Sequence, residues 1–305
     1  MKPLVDKYDY SKDFQEQILR RFRGAERCPN YNVWLEQVLG GPNSRVVMYT
    51  NFLCPEMEFH CGSLRYKRVL DFGCGMGSTT AALAYFSETV CAFDIDKESL
   101  EICNQRIKEH GLESRVRLYY ADDIDSVKSS MGTFDLILIN GVIEHIPLSK
   151  TGLRKRIMLS LLDMLEKYGY LYINDTPNRL LPFDFHTTQL WCIPWTKPGS
   201  EWSYRRALRK GKILDDSESG KGRLGLEEGG AWGATYWEIL NYLEGKRFVC
   251  LNTLPGHNRH LYYRSPRIWW RALFEFIVYY SVVKTIRIPM AAFAQSLPNL
   301  VLQKL

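Results

Sequence analysis

Val69-Leu-Asp71-Phe-Gly73-Cys-Gly75-Met-Gly77-Ser78 decides the reading of this chain. Apolar residues run straight into three glycines, and small helix formers follow from Ser78 to Phe86. Glycine lets a chain turn tightly and lets a ligand approach bare backbone. The helix start behind the turn offers free N–H groups and the positive end of a dipole. The spacing is G-x-G-x-G, so it meets neither the G-x-G-x-x-G dinucleotide fingerprint nor the G-x-x-x-x-G-K-[ST] phosphate loop. An acid, Asp71, stands two residues before the first glycine, where it is expected to face a cationic group of a ligand.

Outward from this stretch the chain alternates. Thr89 to Phe93 reads as a second strand, Arg115 to Tyr120 as a third, Phe134 to Ile139 as a fourth and Tyr170 to Ile173 as a fifth. Helical patterns over 97–110 and 152–167 separate them. Apolar runs near 247–250 and 300–302 supply further strands. Strands separated by helices pair in parallel. The expected fold is therefore α/β, a doubly wound and mostly parallel sheet of seven strands. An N-terminal cap is expected over 1–60, with Phe14, Ile18, Leu19 and Phe22 on one helical face, and the main domain over 61–305. Residues 176–233, rich in Pro, Trp, Gly and charge, break the rhythm and read as a substrate or lid insertion after strand five.

The stretch 266–290 is apolar and aromatic. Its longest charge-free run, Phe276 to Val283, is far below the roughly 20 residues that cross a bilayer. It reads as a helix packed on the core or in a homodimer interface; the sharper alternative is peripheral contact of 266–284 with a membrane surface.

The 305 residues are 46% hydrophobic and 24% charged, which excludes disordered and collagen-like classes. The net charge of +6 is weak support for nucleic acid. Eight cysteines without a C-x-x-C pair read as buried apolar residues in a reducing compartment. The N-terminus has no apolar signal segment. A cytoplasmic protein is expected, with the inner membrane surface as an alternative.

At this point the chain resembles the class I S-adenosylmethionine-dependent methyltransferases. Asp71, Gly73, Gly75 and Gly77 match the family's first motif. Asp94, nineteen residues after Gly75, stands where the family's acid accepts the ribose hydroxyls, with Ile95 beside it. Tyr120-Ala-Asp122-Asp123 stands where an acid lies near the adenine amino group, Ala121 replacing a usual glycine. Asn140 ends the fourth strand, and Val142-Ile-Glu144-His145 matches the family's Glu-His step. The resemblance covers about residues 65–180 and implies a Rossmann-like methyltransferase fold and S-adenosyl-L-methionine as cofactor. The segment from Asn174 to Thr188 and Gly233 to Ile239 resemble bacterial methyltransferases of polysaccharide and lipid-linked sugar pathways.

Transfer to a hydroxyl requires a base. His145 and His186 are the candidates, with Asp184 expected to orient His186; ordinary structural or loop roles compete for both histidines. Asn178 and Arg179 read as substrate contacts or turn caps. His110, His257 and His260 read as surface residues. His60, near Glu56, Glu58 and Cys61, matches no familiar ligand spacing, and no metal is expected. Arg205, Arg206, Arg209 and Lys210 are a solvated helix face or a grip for phosphate. The expected acceptor is a small molecule or lipid-linked saccharide, with no nucleic acid. The fourth strand ends in Asn140-Gly-Val-Ile, not the Asn/Asp-Pro-Pro-aromatic step suited to exocyclic amines. A nucleic-acid methyltransferase and a non-catalytic scaffold are the rival readings.

Overall fold

The structure is a computed structural model that describes residues 5–23, 31–213, 226–254, 257, 281 and 284–305. Seven strands form the main sheet: β1 (Arg68–Phe72), β2 (Thr89–Asp94), β3 (Val116–Tyr120), β4 (Phe134–Asn140), β5 (Leu165–Asn174), β6 (Phe248–Cys250) and β7 (Leu300–Lys304). Their order is β3-β2-β1-β4-β5-β7-β6. β1 pairs in parallel with β2 and β4, and β2 with β3. β7 runs antiparallel to both β5 and β6. The expected doubly wound, mostly parallel seven-stranded sheet is the fold observed.

The chain divides into two compact units. The first holds Met1–Asn140, Asp163–Gly169 and Lys212–Leu214; the second holds Gly141–Leu162, Tyr170–Gly211 and Asp215–Leu305. The N-terminal segment thus shares a unit with the glycine loop, rather than ending as a separate body near residue 60.

In the first unit, β1 and β2 are buried almost throughout, which explains their continuous apolar runs. Helix α1 (Lys12–Arg21) starts where the Ser11 hydroxyl accepts Phe14 N–H. Its Phe14 and Ile18 pack with Tyr10, Val38 and Ile102, while Leu19 is exposed and lies off that face. Helix α2 (Ser78–Phe86) follows the glycine loop; its small residues Ala81, Ala82 and Ala84 are fully buried, so the helix lies close in its packing. Helix α3 (Lys97–Glu109) is capped by Asp96.

Helix α4 (Leu153–Asp163) stops earlier than the 152–167 pattern suggested. The extended conformation of β5 takes over at Leu165, whose side chain is buried. The insertion carries helix α5 (Glu201–Arg209), and its start, Thr176–Pro177, pairs with Ser296–Leu297. Of the apolar stretch 266–290, only residues 281 and 284–290 are described, and Lys284–Ile286 is one helical turn. The expected helix and its membrane or dimer contact therefore lie outside the described residues. Among those residues no helix is long and apolar enough to cross a membrane. Of the seven cysteines described, all but Cys192 are buried.

Candidate active site

The glycine loop is built by the strand beside it. Phe93 O at the end of β2 accepts both Gly73 N–H (2.8 Å) and Cys74 N–H (3.0 Å). The Asp94 carboxylate accepts Gly75 N–H at 2.7 Å and Asp96 N–H at 2.9 Å. All three glycines have positive φ: 73° at Gly73, 51° at Gly75 and 79° at Gly77. At Gly77 an added Cβ would sit 2.5 Å from Cys103 Sγ and 3.0 Å from its Cα, so only glycine lets the turn close on α3. At Gly75 it would meet nothing within 4 Å, so bare backbone there faces open space. Gly77 also precedes α2, whose first turn has no side-chain cap.

Arg106 of α3 completes the loop. It is fully buried and donates from Nε to Met76 O at 2.8 Å and from Nη2 to Val38 O at 3.2 Å. Its guanidinium lies over the rings of Tyr10 and Phe14. Sequence reading missed it, because an arginine on an amphipathic helix ordinarily marks the solvent face. His110, expected at the surface, is held between the hydroxyls of Tyr10 and Tyr85 at 3.0 Å each. Burial holds its pKa down at about 4.

Asp71 departs from its expected role. It is buried beneath the loop and accepts a 2.6 Å hydrogen bond from Thr80 Oγ1 of α2. It is the fourth residue of β1, bonded to strands on both sides, so its side chain points into the sheet–helix layer. It therefore ties α2 to β1 instead of facing a ligand's amino group. Burial raises its pKa from 3.8 to about 7, against the opposing pull of Thr80. The folded-state value lies above the unfolded one. Its stabilisation is then complete below pH ~4 and lost as pH rises through about 7. Asp71→Asn is expected to remove this loss. Between pH ~4 and ~8 wild type should lose stability relative to the variant by on the order of 4 kcal/mol. Denaturant unfolding of both proteins across that range checks it; a pH-independent difference would show an Asp71 ionised throughout.

The remaining first-unit candidates separate. Ile95 is 62% exposed, an apolar side chain next to Asp94. Asp122 is exposed and accepts the Tyr120 hydroxyl, whereas Asp123 caps the helix Ile124–Met131 through Asp125 N–H. Asn140 donates to Thr79 Oγ1 at 3.1 Å, linking the end of β4 to α2.

The second unit brings Glu144, His145 and His186 together, one ligating atom of each within 4.8 Å of the others. Glu144 and His145 lie on the single 3-10 turn after β4. The buried guanidinium of Arg154 donates to Glu144 O, Ile146 O and Gly233 O, pinning this turn by its backbone. His145 Nδ1 lies 2.5 Å from Glu228 O. A carbonyl oxygen only accepts, so Nδ1 carries a proton, and in the neutral imidazole Nε2 then presents a lone pair. The imidazoles of His145 and His186 stand 5.4 Å apart, centroid to centroid. Gly230 makes room for them: a Cβ there would sit 2.8 Å from His186 and 2.9 Å from Glu144. Burial pushes the Glu144 carboxyl up to about 7, against the pull of His145.

Asp184 serves the loop's backbone. Its Oδ1 accepts His186 and Thr187 N–H, and its Oδ2 accepts the N–H and hydroxyl of Thr188. An acid two residues before another residue's N–H forms this turn readily, so Asp184 shapes the segment that carries His186 rather than acting as the expected imidazole partner. Asn178 and Arg179 are structural too: Asn178 donates to Ala292 O and Ala294 O, and Arg179 pairs with Glu238 at 3.3 Å. Arg205 pairs with Glu201, Arg206 donates to Trp191 O, and Arg209 donates to Arg205 O, so these three cations have local partners on and beside α5. His60 is buried 3.4 Å from Glu56.

The family described as "Methyltransferase domain" matches residues 65–201. Those residues form a methyltransferase domain. The rRNA N(6)-adenosine-methyltransferase metl-5 of Caenorhabditis elegans is 42% identical over 77 residues, 24% of this chain and 36% of that protein. The ubiquinone biosynthesis O-methyltransferase of Bordetella avium is 35% identical over 88 residues, 28% of this chain and 35% of that protein. The chain therefore spans about a third of the length of these curated relatives. A solved S-adenosylmethionine-dependent methyltransferase from Clostridium acetobutylicum is similar at 21% identity and a TM-score of 0.36, over 44% of this chain and 51% of that one.

The residues present fit S-adenosylmethionine, the cofactor the sequence resemblance implies, on three observations. The backbone at Gly75 is open. The first turn of α2 is uncapped. Asp94 uses one lone pair on each of its oxygens for the loop, and a carboxylate has about four such sites.

Proposed function

We propose that this protein transfers the methyl group of S-adenosylmethionine to a hydroxyl of a small-molecule or saccharide acceptor, in polysaccharide or lipid-linked sugar biosynthesis. The observation that carries the cofactor half is the Asp94–Gly75 bond, which joins the ribose acid to the bare turn. In this reading the first turn of α2 receives the cofactor's carboxylate, Asp94 the ribose hydroxyls, and Ile95 and Asp122 the adenine. Bound there, the sulfonium supplies an already activated methyl group.

The acceptor half rests on the Glu144, His145 and His186 cluster, where the hydroxyl loses its proton. A neutral alcohol is a poor nucleophile, so the step requires a proton acceptor within hydrogen-bond reach. Exposed Trp191, Trp195 and Trp202 in the insertion support a saccharide, because flat apolar faces suit sugar rings. In this reading the reaction runs in the cytoplasm or at the inner membrane surface.

One observation favours a second acceptor class: the similarity to an rRNA N(6)-adenosine-methyltransferase. Incubation with methyl-labelled cofactor and, separately, lipid-linked saccharide extracts or total RNA decides between them. Label is expected in the saccharide fraction as an alkali-stable ether. Label confined to RNA would overturn the acceptor half and leave the cofactor half standing.

A further inference from the structure

We propose that Glu144, His145 and His186 bind a divalent transition-metal ion. The sequence reading expected no metal and weighed His145 and His186 only as bases. The fold of the second unit supplies what spacing did not.

Glu144 is 1% exposed, yet neither carboxylate oxygen has a hydrogen-bond partner among the described residues. A buried carboxylate left without partners costs several kcal/mol. His145 turns Nε2 toward it, which in the neutral imidazole bears no proton because Nδ1–H is committed to Glu228 O. Nε2 and Glu144 Oε1 are 3.9 Å apart. Two acceptors facing each other need something positive between them. A shared proton requires heavy atoms within about 3.2 Å. An ion with bonds of about 2.1 Å bridges atoms roughly 3 to 4 Å apart, depending on the angle. The observed gap falls in the ionic range and beyond the hydrogen-bonding one.

His186 supplies the third ligand from a loop whose backbone Asp184 holds. The His145 side chain is 42% exposed, so solvent reaches the cluster from that side. Donation of Nδ1–H to a backbone carbonyl is also the usual outer-shell support of a metal-binding histidine. Gly230 keeps the space clear. Two imidazoles and one carboxylate favour Zn2+, Co2+, Ni2+ or Fe2+ over Mg2+ and Ca2+, which prefer all-oxygen cages. Three protein ligands leave positions for water or a substrate oxygen.

The ion's role rests on the methyl-transfer reading. An acceptor hydroxyl bound to it releases its proton to solvent more readily. The oxygen then forms the O–C bond as the C–S bond breaks, its electron pair staying on sulfur.

The full-length protein, stripped with chelator and then freed of it, is titrated with Zn2+ by calorimetry and with Co2+ by visible absorption. One ion per chain is expected, with imidazole ligation visible as shifted His145 and His186 ring resonances under Zn2+. Glu144→Gln and His186→Ala should each weaken binding by about 100-fold or more, at an unchanged melting profile. Absence of any bound ion in the wild type overturns the proposal, whatever the variants do. Equal binding by wild type and folded variants also overturns it. S-adenosylhomocysteine is titrated into the same preparation. A protein that takes up the ion but does not bind S-adenosylhomocysteine supports the metal site and removes its methyl-transfer role; a protein that binds S-adenosylhomocysteine but takes up no ion overturns the metal site alone.

Discussion

Asp94→Ala is expected to raise the Kd for S-adenosylhomocysteine by at least about 100-fold. The carboxylate does two things at once. It holds Gly75 N–H and Asp96 N–H, fixing the turn before any ligand arrives. Its remaining lone pairs accept the ribose hydroxyls. Hydrogen bonds to a charged group contribute about 1.5–3 kcal/mol each, so two of them amount to roughly 3–6 kcal/mol. At about 1.4 kcal/mol per tenfold, that is some 100-fold to 10,000-fold. Asp94→Asn keeps one oxygen and loses the charge, so it should fall between. Calorimetry on the three proteins measures this. An alanine variant that binds as tightly as wild type would remove Asp94 from the cofactor site.

Arg106→Met is expected to cost both stability and cofactor affinity. The guanidinium sits at the junction of the N-terminal segment, α3 and the glycine loop, with no contact with water. Methionine fills much of its volume and satisfies none of its acceptors. Met76 O and Val38 O would then be buried without donors, and the Tyr10 hydroxyl would lose its Nη1 partner. Each such loss costs about 1–3 kcal/mol, giving roughly 3–9 kcal/mol in total. Tm should fall by roughly 10 °C. Because Met76 lies inside the loop, binding of S-adenosylhomocysteine should weaken as well, even well below the new Tm. Arg106→Lys should recover little, since one ammonium cannot reach acceptors that a planar fork serves in separate directions. A Tm within about 2 °C of wild type would show that the loop does not depend on this side chain.

Both residues bear on what the sequence made legible. The strands, the glycine turn and Asp94 were readable because their signals are local. Apolar runs, three glycines and an acid at the next strand's end all lie on a short stretch of chain. Asp71 was read in the right place with the wrong direction, since its partner Thr80 lies a helical turn beyond the loop it was thought to serve. Asp184 next to His186 looked like an acid–imidazole pair. At that spacing the backbone N–H groups are nearer competitors than the ring, and they hold both oxygens. Arg106 and His110 owe their burial to Tyr10, about a hundred positions away in the chain, and no periodicity announces such a contact. Glu144 stood in plain view within the Glu-His step, but its significance depends on Gly230, Glu228 and His186 arriving from other segments.

The central claim is that the turn Gly73–Gly77 and Asp94 hold S-adenosylmethionine, and a crystal structure with S-adenosylhomocysteine tests it most directly. Density is expected along the turn, with the ribose hydroxyls on Asp94, the carboxylate at the first turn of α2 and the base beside Ile95. A crystal grown at saturating ligand in which that crevice holds only solvent, or in which the ligand lies elsewhere, would contradict it.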